Sequence, residues 1–209
     1  MFDCVADIDS QIVCFSPSSG ALRGIKELCC GGAHKDESRA DLTRNGLVLE
    51  SYLGRTELVT ERLPLLDDIN IRFDFSIDHL VERSSIFQII YYQPPCFNQG
   101  NYQLVSDNGG LSFIARNLYG ASDSEYYLSD YEEGVEYTLK VSASFSIVDG
   151  YFNLKLSSGD EVLFDKSLVE SGSTGVDCPL GPYVKAGPYG NIKDGAVMTV
   201  HGLEVYYAK

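Results

Sequence analysis

The run Tyr183-Val184-Lys185-Ala186-Gly187-Pro188-Tyr189-Gly190-Asn191 groups residues that can do chemistry. It reads as a late β-strand, and side chains alternate between the two faces of a strand. Tyr183, Lys185 and Tyr189 then share one face with Gly187 between them, while Val184, Ala186 and Pro188 face the other way. A strand that only packs has no reason to collect two phenols and an ammonium on one side. Around a glycine gap they suit an anionic, hydroxyl-rich ligand such as an acidic sugar, with Asn191 beside them.

Two earlier segments extend the set. In Arg55-Thr56-Glu57-Leu58, Arg55 and Glu57 share a face. In Phe87-Gln88-Ile89-Ile90-Tyr91-Tyr92, Gln88, Ile90 and Tyr92 share a face. If all three segments are neighbours in one sheet, that surface carries a guanidinium, a carboxamide, an ammonium and several phenols. Breaking a uronate polymer by β-elimination needs such groups. The C6 carboxylate must be neutralised, which suits Arg and Gln donors. A base must take the C5 proton and an acid must protonate the O4 leaving group, which suits Tyr or His. Cations such as Lys185 and Arg55 favour the phenolate a Tyr base requires. No metal or cofactor is needed. Plainer readings stand beside this one: an Arg55–Glu57 ion-pair face, a satisfied buried Gln88 amide, and tyrosines that only pack.

The elements that must position these residues are strands. From Gly46 onward the hydrophobic period is two, and Ile71 to Ile77 alternates strictly between apolar and polar. Ser85 to Gln93 is a strand ended by Pro94-Pro95. Asp107-Asn108-Gly109-Gly110 is a hairpin signature. Asp149-Gly150 and Ser157 to Asp160 mark further turns between Val135–Ile147, Tyr151–Leu156 and Glu161–Asp165, and Val197 to Tyr207 closes the chain. Some ten or eleven strands with short turns predict an all-β, single-domain jelly-roll sandwich of two antiparallel sheets. Residues 46–209 form that sandwich. Residues 1–45 read as a separate N-terminal segment with one minor helix over Gly20–Cys30, with Leu22, Ile25 and Cys29 on one side.

The 209 residues are 44% hydrophobic and 22% charged, with 14 Tyr, 20 Gly and no Trp. A net charge of −14 argues against nucleic acid and anionic membranes as partners. An acidic polysaccharide then requires a local basic cleft. The six cysteines lack zinc-site spacing. They are either idle thiols or one or two disulfides pinning the N-terminal segment in an oxidising compartment. The N-terminus lacks the pattern of a signal peptide, although a glycan-directed role implies extracellular substrates. The acidic runs Ser122–Glu125 and Asp130–Glu133 read as solvated loops without calcium-ligand spacing.

Taken in order, these motifs resemble polysaccharide lyase family seven, the alginate-lyase group. That family carries Arg-Ser/Thr-Glu-Leu early, Gln-Ile/Val-His in the middle and Tyr-Phe-Lys-Ala-Gly-x-Tyr-Asn-Gln late, on a β-jelly roll. The resemblance spans Leu47 to the C-terminus. It implies that Arg55 and Gln88 bind the substrate carboxylate, that Tyr189 is the catalytic acid and also serves as base, and that Lys185 lies beside the substrate. Tyr183, Tyr92, Glu57 and Asn191 would line the cleft. Two positions depart from the pattern: Ile90 stands where the family has His, and Gly190-Asn191 where it has Asn-Gln. Either one Tyr performs both proton transfers, or the site binds without cleaving. The second alternative is a non-catalytic carbohydrate-binding or structural jelly-roll module, for example of a virus particle. A third is a glycoside hydrolase, whose two carboxylates would have to come from Glu50 and Glu57.

Overall fold

A computed structural model describes residues 11–28, 38–52, 55–63, 68–80, 83–90, 101–116, 124–145, 149–171, 181–189 and 195–207. Within them the chain forms sixteen strands and no helix. They are β1 (Gln11–Ser16), β2 (Ala21–Arg23), β3 (Ile25–Glu27), β4 (Arg39–Leu42), β5 (Leu47–Ser51), β6 (Leu58–Thr60), β7 (Asp68–Leu80) and β8 (Ser84–Ile90). The others are β9 (Asn101–Asp107), β10 (Gly110–Arg116), β11 (Ser124–Asp130), β12 (Glu136–Phe145), β13 (Asp149–Ser158), β14 (Glu161–Ser171), β15 (Tyr183–Tyr189) and β16 (Ala196–Tyr207).

Nine strands make one antiparallel sheet in the order β14-β13-β12-β7-β16-β1-β2, with β5 also on β16 and β4 on β5. Seven make the other, in the order β11-β10-β9-β8-β15-β6-β3. The core lies between them. The period-two pattern of β7 puts Ile69, Ile71, Phe73, Phe75 and Ile77 into it. Aromatic rings knit the sheets together: Phe73 of β7 stacks on Phe87 of β8 at 5.1 Å, and Phe152 of β13 meets Tyr102 of β9 at 4.5 Å. Rings of this size dominate core energetics, and truncating one to Ala costs about 3–5 kcal/mol. The architecture is the two-sheet jelly-roll sandwich expected from the sequence. The hairpin signature also holds: Asn108 (φ 49°) and Gly109 (φ 83°) join paired Asp107 and Gly110, as a two-residue hairpin loop requires.

The helix expected over Gly20–Cys30 does not form in the described part of that range, residues 20–28. In its place β2 pairs with β1 in the nine-stranded sheet and β3 pairs with β6 in the seven-stranded one. The chain crosses between sheets at Gly24, whose φ is +68° and whose absent Cβ would stand 2.7 Å from the Ile12 carbonyl oxygen. The helical spacing of Leu22 and Ile25 was a coincidence of two short strands facing different partners; Cys29 lies outside the described residues. Strands β1–β4, all within the first 45 residues, thus enter both sheets. Cys14 in β1 is disulfide-bonded, and the other five cysteines fall outside the described residues.

Candidate functional site

Strand register brings the three sequence segments together. Lys185 of β15 lies opposite Gln88 of β8 on one side and Val59 of β6 on the other. Tyr183 is opposite Ile90, and Tyr189 is opposite Ser85. Arg55, just ahead of β6, makes an isolated β-bridge with Tyr189. The alternate residues Leu58, Phe87, Ile89, Val184 and Ala186 are all in the core. Arg55, Gln88, Lys185, Tyr183 and Tyr189 therefore share the outer face of the seven-stranded sheet.

Local backbone structure holds Tyr189 there. Between Ala186 and Tyr189 the register slips against β8, as at a bulge. Gly187 sits in the slip with φ +141°, and a Cβ on it would stand 2.2 Å from the Thr56 carbonyl oxygen and 2.9 Å from Glu57 Cα. The glycine is therefore not a gap for a ligand, as the alternation predicts. It is needed so that the Thr56–Glu57 backbone can cross β15 closely. Thr56 N–H donates to the Pro188 carbonyl (3.3 Å), and its hydroxyl donates to the Glu50 carbonyl (2.8 Å). Ser84 Oγ takes the Tyr189 N–H and donates to the Tyr189 carbonyl, both at 3.0 Å.

A groove of about 460 Å³ opens beside these residues, lined by Lys26, Glu27, Arg55, Glu57, Thr60, Glu61, Arg62, Tyr183, Lys185 and Val59. Four of the ten are basic and three acidic, so the lining is slightly positive on a chain of net charge −14. At its floor Lys185 Nζ donates to Glu57 Oε2 at 3.0 Å, with Arg55 Nε 3.8 Å from the same oxygen. Glu57 is 2% exposed and its Oε1 has no hydrogen-bond partner. Burial pushes the Glu57 carboxyl above its ordinary value, against the opposing pull of Lys185 and Arg55. Lys185 Nζ also lies 5.5 Å from the centre of the Tyr189 ring, within cation–π range. The Arg62 guanidinium lies 5.4 Å from the Tyr183 ring and donates to the Gly181 carbonyl at 2.6 Å.

The predicted residues thus divide by environment. Tyr189 is 46% exposed and the Arg55 side chain 44%, so both are open to a ligand. Gln88 is 4% exposed. Lys185 and Glu57, expected to touch a ligand, are enclosed and hold each other. Tyr92 and Asn191 lie outside the described residues. Ile90 is on the same face as Gln88 and 6% exposed. His79 and His201 belong to β7 and β16 of the other sheet, where His201 contacts the Asn45 carbonyl and Ser76. Glu50 is in β5 of the nine-stranded sheet, whereas Glu57 directly precedes β6 of the seven-stranded one, so the two carboxylates a glycosidase would need are not offered by one sheet.

Sequence reasoning missed Lys26, Glu27, Glu61, Arg62 and Gln103. Lys26 and Glu27 lay in the segment misread as helix. Glu61 continues the alternation Arg55, Glu57, Val59 and was legible. Gln103 of β9 pairs with Gln88 of β8, a fact only register reveals.

No protein-family profile matches the sequence, and no curated protein matches it. Solved structures do match in fold. Alginate lyase A1-II', a member of polysaccharide lyase family 7, superposes with a TM-score of 0.58 at 14% identity, covering 85% of this chain and 86% of that one. An alginate lyase from Pseudomonas aeruginosa gives 0.54 at 19% identity, covering 81% and 86%. The CBM2 module of the evolved Dit of Lactobacillus casei BL23 phage J-1 gives 0.59 at 8% identity, covering 95% of each chain. The chain therefore has a jelly-roll fold similar to that of family-seven alginate lyases, a fold that is also found in a phage module.

Proposed function

We propose that this protein binds an acidic, uronate-containing polysaccharide of the alginate or glucuronan type on the outer face of the seven-stranded sheet and cleaves it by metal-independent β-elimination. The observation that carries the reading is the Arg55–Tyr189 bridge. It sets an exposed guanidinium beside an exposed phenol, next to the Lys185 ammonium. Arg55 and Gln88 donate to the C6 carboxylate, which makes the C5 proton acidic. The Tyr189 phenolate takes that proton. The electron pair left on C5 forms the C4–C5 double bond as the C4–O4 bond breaks, and O4 takes the proton back from the same phenol. Ile90 has no proton to exchange, so one phenol serves both steps. That works when the C5 proton and O4 leave from the same side of the ring, as in mannuronate or glucuronate. Lys185, Tyr183, Tyr92 and Asn191 line the cleft. A net charge of −14 goes against nucleic acid and membranes as partners, and a disulfide at Cys14 fits an extracellular setting.

The second reading is a glycan-binding module without catalysis. Ile90, apolar and enclosed in the site's own face, favours it, as does the likeness in fold to the phage module. Incubation with mannuronan, alginate and glucuronan separates the two. A lyase raises the ultraviolet absorbance of unsaturated uronates, and Tyr189→Phe lowers that rate roughly 10²–10⁴-fold at unchanged melting temperature. Calorimetric binding without any absorbance change establishes the module. Neither binding nor cleavage on this panel removes both.

A further inference from the structure

We infer that Gln103 is a second sugar-binding carboxamide, which contacts the uronate next to the one held by Arg55 and Gln88. The inference rests on the glycan reading of this face. Register puts Gln103 of β9 directly beside Gln88, which is itself beside Lys185. The three side chains thus form a row across the strands on the face turned from the core. One row along, Tyr189, Ser85 and Val105 are aligned in the same way. The two rows are tied together, because the Ser85 hydroxyl donates to Gln103 Oε1.

That hydrogen bond decides what Gln103 can offer. With its carbonyl engaged by that hydroxyl, the groups of the amide left without any partner are its N–H donors. Gln88 and Gln103 are 4% and 5% exposed, and among the described residues neither amide nitrogen has a protein acceptor. Yet the fully enclosed, unpaired polar atoms of the described residues are the hydroxyls of Ser38, Ser51 and Ser106 and Oε1 of Glu57, not these amides. Neither amide is therefore fully sealed from solvent, although both side chains are buried. Buried polar groups are ordinarily paired, and two neighbouring donors without acceptors need oxygen from elsewhere. Ile114 lies on the far side of Gln103 and Val105 two residues along its own strand, both buried. The surroundings are therefore poorly hydrated, which strengthens a hydrogen bond to a charged acceptor. Adjacent strands are roughly 4.8 Å apart, comparable to one sugar residue along a chain. A polymer laid across the strands thus brings successive sugar residues to Gln88 and then Gln103.

The test uses the full chain carrying Tyr189→Phe, so that ligands stay intact, with calorimetry on free mannuronate and on mannuronate tetrasaccharide. Gln103→Met is expected to weaken the tetrasaccharide about tenfold, the scale of one lost hydrogen bond to a charged group, and to leave the monosaccharide unchanged. Gln103→Glu keeps the acceptor for Ser85 and nearly the same shape, so it guards against a folding defect in the Met variant. Its carboxylate is expected to weaken the tetrasaccharide further still. If the parent binds the tetrasaccharide, Arg55→Ala weakens that binding and both Gln103 variants bind like the parent, the inference falls while the glycan reading stands. Equal losses for monosaccharide and tetrasaccharide would show a general disturbance of the site and also overturn it. A parent that binds neither ligand overturns inference and reading together.

Discussion

The outer faces of the two sheets are both polar, but they treat their polar groups differently. On the nine-stranded sheet many of the described groups meet a neighbour. Thr138 donates to Asp74 Oδ1 at 2.6 Å, Arg72 pairs with the same carboxylate at 3.0 Å, and Ser142 donates to Asn70 at 2.6 Å. Ser167 donates to Asn153, and Lys155 pairs with Asp165. On the seven-stranded sheet Arg55 stands 3.8 Å from Glu57, Glu57 Oε1 has no partner and the amide of Gln88 has none among the described residues. A face whose donors satisfy one another is a finished surface. A face that leaves donors open beside a groove has capacity for a ligand.

The comparison can be broken at its most loaded point first. Lys185→Met leaves Glu57 enclosed without its main cation, and removing one member of a buried pair costs about 3–5 kcal/mol. A urea titration measures it, and a loss below 1 kcal/mol would mean the pair is solvated after all. Next, Arg55→Ala, at an exposed position, is expected to leave stability nearly unchanged while weakening polyuronate binding by about 1.5–3 kcal/mol, read by calorimetry. Equal binding would show that the open face has no use for its most accessible cation.

A smaller effect follows from the protonation of Glu57. Its carboxyl is raised in the folded state by burial, so folding favours the protonated form. The contribution this makes to stability is complete below the ordinary value of 4.5 and is lost as pH rises through the raised value. Melting temperatures taken between about pH 4 and pH 8 should fall more across that rise for the parent than for Glu57→Gln. Identical slopes would assign the dependence to other groups. Smallest of all, Thr138→Val on the nine-stranded face removes one hydrogen bond to Asp74 and should cost about 1 kcal/mol without altering glycan affinity. A change in affinity there would erase the distinction between the faces.

Much of the fold was legible because its signals are local. The alternation of Ile71, Phe73, Phe75 and Ile77 states which side is buried, and Asn108-Gly109 can adopt the positive φ values a tight hairpin demands. The Gly20–Cys30 segment was misread because three-residue strands have too little pattern to reveal a period, and their pairing is decided by β1 and β6. Within the site, Arg55, Gln88, Lys185 and Tyr189 stood out by residue type and by resemblance to a known motif. The ion pair that encloses Lys185 did not, since Glu57 is 128 residues away in the chain.

By itself, then, the sequence determined that two amphipathic sheets must form and which residues of each strand face outward, because a period of two is a property of consecutive side chains. Tertiary structure alone decided who stands beside whom. It set Gln103 next to Gln88, closed Glu57 over Lys185, and used Gly187 to admit the Thr56–Glu57 backbone. Register between strands depends on contacts far apart along the chain, and shifting it by one residue would turn each of these side chains to the opposite face.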